Sequence, residues 1–217
     1  MAPTDQPTSG QFRPARLLVV DDVADNRDLL VRRLRRLGHD DMTTAGDGVD
    51  QFDDLTSLRE AIGYANSHPG PDIITFDPFP SGKAPRTIKL IGGPLLLTDS
   101  ATVTIIGPGA NRLTLSGGGK SRVFDIEGGS LALEGLTITG GRAGRGGGIL
   151  NQGGTLALDR VALRGNRAGV GGGLFNDGTA VLTDVVIAGN SARVGSGLFS
   201  TRRATLTWRR SPAGGRG

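Results

Sequence analysis

The chain has no cysteine and very few aromatic residues, and each shortage removes a class of protein. Without cysteine there is no disulfide framework, no thiolate metal site and no cysteine nucleophile. Aromatics are 4% of 217 residues, so any core must be built from Val, Leu, Ile and Ala. The same shortage argues against single-stranded nucleic acid, which proteins hold by stacking bases on aromatic rings. No window is long and apolar enough to span a membrane. The opening MAPTDQPTSGQFRPAR is polar and lacks the apolar stretch of a secretory signal, so the chain as written is expected to stay in the cytoplasm.

What the chain has in excess is glycine. Seven of its 37 glycines precede residue 91 and thirty follow it, which marks a change of architecture. Charge divides at a similar place. Residues 1–77 carry 14 acidic against 8 basic side chains, and residues 78–217 carry 7 against 17, a net of −6 followed by +10. A basic second half suits nucleic acid, an acidic polysaccharide or a membrane surface, and equally suits arginine on exposed turns.

Residues 1–15 read as a disordered head. RLLVV (Arg16–Val20) is a short apolar run ending at Asp21 and Asp22. Leu30, Leu34 and Leu37 then recur at helical spacing, with Gly38 suited to the position after the helix. A short strand, Met42–Ala45, and the turn GDG follow. In TSLREAIGYANSHPG, Ser57 and Glu60 form a capping-box pattern ahead of an apolar face of Leu58, Ala61, Ile62 and Ala65, which predicts one short helix. From Asp72 the chain turns to short β-rich runs.

Residues 130–154, 155–178 and 179–203 can be laid over one another as three copies of one unit, with periods of 25 and then 24 residues. Each copy holds alternating runs such as LALDRVAL, broken by Gly and Asn, which suit corners with positive φ. No copy can close its own core, whereas stacked copies bury a continuous one. Stacking aligns Asn151 with Asn176 and Asn166 with Asn190 as amide ladders, and Leu133, Leu158 and Leu182 as an apolar column. Leu136, Val161 and Val185 form a second column. The expectation is a mainly β protein, a parallel β-helix with an N-terminal capping helix.

Two resemblances extend this reading. The SLREAI…AN…PGPDIITF segment, GPGANRLTLSG with SRVF after it, and rungs of the type GGGLFNDGTAVLTDVVIAGNSA together resemble the right-handed parallel β-helix surface proteins of bacteria, over about residues 56–208. The resemblance implies a secreted or envelope-associated module with adhesive or carbohydrate-related roles. RLLVVDDVADNRDLLVRRLRRLGHDDMTTAGDG resembles the first strand, helix and second strand of a response-regulator receiver domain, truncated to about residues 16–50. That likeness implies Mg²⁺ at the acidic pair Asp21 and Asp22, whose carboxylates are suitably hard ligands, and a histidine kinase as partner. A receiver also needs a phosphoacceptor at the end of its third strand. PDIITFDPFP offers Asp77 there, but no Ser/Thr strand or Lys-Pro turn follows. Residues 209–217 read as a disordered tail.

Other constellations are weaker. TLSGGGKS (114–121) approaches a P-loop but has Thr114 where that loop needs glycine, and strand rather than helix after it. Glu134 and Asp159 occupy equivalent repeat positions, the geometry a glycan-cleaving carboxylate pair would start from. Asp184 aligns with Arg160 and predicts a cross-rung ion pair. His39 and His68 have no metal-ligand spacing. The reading is therefore a non-catalytic β-helix scaffold, not an enzyme, that binds a glycan or protein partner along its flank, with no certain cofactor. One alternative is a phosphorelay protein with Mg²⁺ at Asp21 and Asp22. Another is a recombined or truncated remnant without selected activity.

Overall fold

The computed structural model describes residues 57–68, 70–76, 85–98 and 100–210, together with the backbone of one strand, β1 (Arg16–Val20). The helix α1 (Leu58–Ser67) begins as its sequence dictates. The Ser57 side chain accepts from the Glu60 backbone N–H at 3.1 Å, and the Glu60 carboxylate accepts from Ser57 N–H at 2.5 Å. Leu58, Ala61, Ile62 and Ala65 are all buried, so one face of this helix closes the start of the core. Arg59 donates to the carbonyls of Gly93 and Pro94, and the Asn66 side chain donates to Leu96 O, which pins α1 to the turn below it.

The described residues after α1 wind into a parallel β-solenoid of about five turns. Each turn contributes to three faces. The first face stacks β1, β2 (Asp72–Phe76), β5 (Thr102–Ile106), β8 (Ser130–Glu134), the second half of β11 (Ile149–Asp159), the second half of β14 (Leu174–Thr183) and β17 (Thr205–Arg209). The second face stacks β3 (Arg86–Lys89), β6 (Leu113–Ser116), β9 (Thr137–Thr139), β12 (Ala162–Arg164) and β15 (Val186–Ala188). The third stacks β4 (Leu95–Leu97), β7 (Phe124–Glu127), the first halves of β11 and β14, and β16 (Leu198–Ser200). A short pair, β10 (Arg142–Arg145) and β13 (Arg167–Val170), builds the corner between the second and third faces.

The core follows from alternation. Every second residue of a strand points inward, and rung-to-rung register turns those residues into columns. Ile105, Leu133, Leu158 and Leu182 lie in one column, each at most 1% exposed, and Trp208 continues it in the last described strand. Leu136, Val161 and Val185 are also buried. Burying each Leu is worth about 1.5–3 kcal/mol, so the columns, repeated on every turn, are the main stabilising feature. The difference between the 25- and 24-residue periods falls at one place. The β11–β14 register shifts between Gln152 and Thr155, and Gly153 (φ 71°) takes up the extra residue.

The structure departs from the sequence reading in two respects. Asparagine was expected to share the positive-φ corners with glycine. Among the described residues, Arg160 (φ 51°) and Asp184 (φ 50°) are the non-glycine residues with positive φ, while the repeat asparagines turn inward. The β-helix expectation is met as a parallel solenoid. The receiver-like strand-helix-strand arrangement is not shown. Its first strand, β1, runs parallel to β2 as an extra strand on the solenoid's first turn, and its helix and second strand lie outside the described residues. The head and tail, 1–15 and 211–217, lie outside them too.

Candidate functional site

The corner that joins the first face to the second carries the chemistry. It bends sharply after β8, β11 and β14, and the residue at the bend takes a left-handed backbone. One turn uses Gly135 (φ 59°), where no Cβ penalty arises. The next two use Arg160 and Asp184, at a cost of about 1–2 kcal/mol each for a side chain in that region. Repeat alignment carried this signal as Glu-Gly, Asp-Arg and Thr-Asp at equivalent positions, but glycine replacement alone does not say which way the new side chain points.

The bend aims Arg160 outward. Its guanidinium binds the carboxylate of Glu134, one turn below, and that of Asp159 beside it at 2.6 Å. Glu134 and Asp159 are in register, so their carboxylates stack one rung apart and Arg160 bridges them. The sequence reading had paired Arg160 with Asp184 of the turn above. The structure turns the guanidinium to Glu134 of the turn below and to Asp159 of its own turn instead.

Against this cluster lies an open groove of about 460 Å³. Its lining comes from successive turns: Asn111, Thr137, Arg160, Ala162, Arg164 and Val186 among others, with Asp184 at one side. The floor is the outer surface of the second face, where Thr137, Ala162 and Val186 align rung over rung. Thr137 donates its hydroxyl to Ala110 O at 2.6 Å, which ties the loop wall to the floor. The groove thus combines small apolar contacts with amide, hydroxyl and guanidinium groups. That mixture suits a ligand with both C–H faces and hydroxyl edges.

The asparagine ladders do different work. Asn151 Nδ2 donates to Asn176 Oδ1 at 2.8 Å, and Asn166 Nδ2 donates to Asn190 Oδ1 at 3.0 Å. Asn151, Asn166 and Asn176 are at most 1% exposed; Asn176 Nδ2 also donates to Ser200 Oγ at 3.2 Å, and their other side-chain bonds go to backbone groups of the corners. They satisfy buried polar backbone and are closed to ligands. Asn151 Oδ1 has no hydrogen-bond partner because the rung beneath presents Ile126 at that position.

On the third face Asp125 lies 3.4 Å from Arg122. Burial pushes the Asp125 carboxyl above its ordinary value, Arg122 opposes this, and Glu127 adds to it. The P-loop-like segment is a strand, β6, followed by a turn and another strand, with Lys120 exposed. Among the described residues no group of three His, Asp or Glu side chains is placed to hold a metal. Asp21, Asp22 and Asp77, proposed from the receiver-like motif, lie outside the described residues, as does His39. His68 stacks on Tyr64 at the end of α1, with ring centroids 3.8 Å apart. No helix among the described residues is long and apolar enough to cross a membrane. No protein-family model, no curated protein and no solved structure matches the chain.

Proposed function

We propose that this protein is a non-catalytic binding scaffold, and that the groove beside Arg160 takes a carbohydrate. One observation carries the reading. Two successive turns place charged residues, Arg160 and Asp184, at a bend where the turn below uses glycine, and both line the groove. Backbone strain that the fold does not need is the mark of a position kept for contact. The groove's apolar floor and polar rim match the two sides of a sugar ring. Glu134 and Asp159, the carboxylate pair a glycan-cleaving enzyme would require, both bind Arg160 and serve to fix its direction. A protein partner along the same flank is the nearest alternative ligand.

The test is Arg160→Gly in the full chain. The substitution removes both the strain and two exposed ion-pair contacts, effects of about 1 kcal/mol each and opposite sign, so thermal stability should hardly move. Binding in a screen of defined oligosaccharides by calorimetry should be lost. Retained binding by the variant would refute the reading.

A second reading, phosphorelay signalling with Mg²⁺ at Asp21 and Asp22 and a histidine kinase as partner, has one supporting observation. Strands β1 and β2 are parallel neighbours in register, Val20 opposite Phe76, and the next residues in the sequence are Asp21 and Asp77. A small phosphodonor with Mg²⁺ should then yield an acyl phosphate that Asp77→Asn abolishes. No label on the wild-type chain would dispose of it.

A further inference from the structure

The solenoid separates its charges. From residue 135 to 158, from 160 to 176 and from 185 to the end there is no Asp or Glu, and the acids of the solenoid from β7 onward fall at Asp125, Glu127, Glu134, Asp159, Asp177 and Asp184. All but Asp125, which lies on the third face and pairs with Arg122, sit at or beside the two corners that bound the first face. From β9 onward the corner between the second and third faces carries arginine as its charged residue. Arg142 and Arg167 stack directly in register through the β10–β13 pair. Arg164 ends β12 just before that corner and also lines the groove. Arg145 stands on the same short strand as Arg142, its guanidinium carbon 5.5 Å from the centroid of the Phe175 ring. Arg193 follows on the next turn.

All five side chains are exposed, and among the described residues none is in an ion pair. In-register arginines are only about 4.8 Å apart by rung spacing, an arrangement that repels itself in the free protein. Nothing in the fold calls for it. Guanidinium forks are shaped for carboxylate or sulfate, and Arg142 and Arg167 offer one on each of two successive turns, with Ser191 at that position on the next turn and Arg193 two residues beyond it. A pyranose ring is about as long as a rung is high. A chain of acidic sugars laid along the axis therefore presents charges in step with the ridge. Nucleic acid fits less well, because single strands need stacking surfaces and the ridge's aromatic ring, Phe175, is buried beneath Arg145.

We propose that the ligand of the groove is an acidic polysaccharide, lying along the second face with its anionic groups on Arg164, Arg167 and Arg142. This rests on the carbohydrate reading of the groove and adds the class of sugar.

The experiment titrates the full chain with a short oligogalacturonate, with its fully methyl-esterified form, and with single-stranded DNA. The acid form should bind, more weakly as salt rises, because an anionic chain releases counterions on binding. The ester should bind at least tenfold more weakly. Arg142→Gln with Arg167→Gln should weaken the acid form about tenfold, as two exposed charge contacts of the usual strength would. Arg202→Gln with Arg203→Gln, in the turn between the third and first faces, should leave binding unchanged, and circular dichroism should show both double variants folded. Equal binding of acid and ester would overturn this inference and leave the groove reading intact. So would an equal loss on removing Arg202 and Arg203, or DNA binding as tight as the oligogalacturonate. Binding of neither sugar would sink the groove reading along with it.

Discussion

Replacing Asn166 with alanine tests the claim that inward asparagines hold the corners of this solenoid. Asn166 is 1% exposed. Its Oδ1 accepts from Gly141 N–H at 2.9 Å, one turn below. Its Nδ2 donates to Ile138 O at 3.0 Å and to Asn190 Oδ1 at 3.0 Å. Alanine orphans the Gly141 N–H and takes a donor from Ile138 O. It leaves Asn190 Oδ1 with the Asn166 backbone N–H, at 2.9 Å. Each buried polar group left unpaired costs about 1–3 kcal/mol, so the two together cost roughly 2–6 kcal/mol. In a protein of this size each kcal/mol moves the melting point by about 2–4 °C, which predicts a fall of roughly 4–24 °C. Thermal and urea unfolding followed by far-ultraviolet circular dichroism measures it. Asn190→Ala, at a half-buried position one turn later, should cost less. If Asn166→Ala lies within about 0.5 kcal/mol of the wild type, the level of an ordinary surface change, the ladder is not what satisfies these corners.

Glycine positions give a matched pair. A Cβ at Gly141 would lie 1.9 Å from Gly147 O, so Gly141→Ala should prevent native stacking, visible as lost cooperativity on heating. A Cβ at Gly144 meets nothing within 4 Å, and Gly144→Ala should leave stability unchanged or raise it by up to about 1 kcal/mol. Leu158→Ala, in the central column, should cost about 2–5 kcal/mol by chemical denaturation. Asp125 supplies a pH test. Its folded pKa is raised, mainly by burial, so protonation favours the folded state. The stability it contributes is present below the ordinary carboxylate pKa and is lost as pH rises through the raised folded value. Relative to wild type, Asp125→Asn should therefore look more favourable at neutral pH than at acid pH. A difference in melting point independent of pH would contradict the assignment.

The solenoid was legible because its cause is local and repeated. A 24–25-residue period, alternating apolar positions and a Ser57–Glu60 capping box admit one way to bury the leucines, namely to stack the copies beneath α1. The same register argument aligns Asn151 with Asn176 and Asn166 with Asn190 as amide ladders, and the structure shows both. Local chemistry also suits asparagine to positive-φ corners, but among the described residues glycine, Arg160 and Asp184 hold those positions, because the pleat turns the asparagines toward the core.

Sequence by itself thus determined the rung, its period, its apolar columns and the helix that covers its start. The tertiary structure decided where each corner falls, and with it every statement about surface chemistry. Arg160 meets Glu134 and Asp159 because the bend it occupies swings its side chain back over the end of its own strand toward the turn below. Arg142 and Arg167 stack a turn apart at one corner, and Arg164 joins them from the strand that runs into that corner on the turn of Arg167. Those relations depend on the angle between faces, which no single turn encodes and which is set only when neighbouring turns pack.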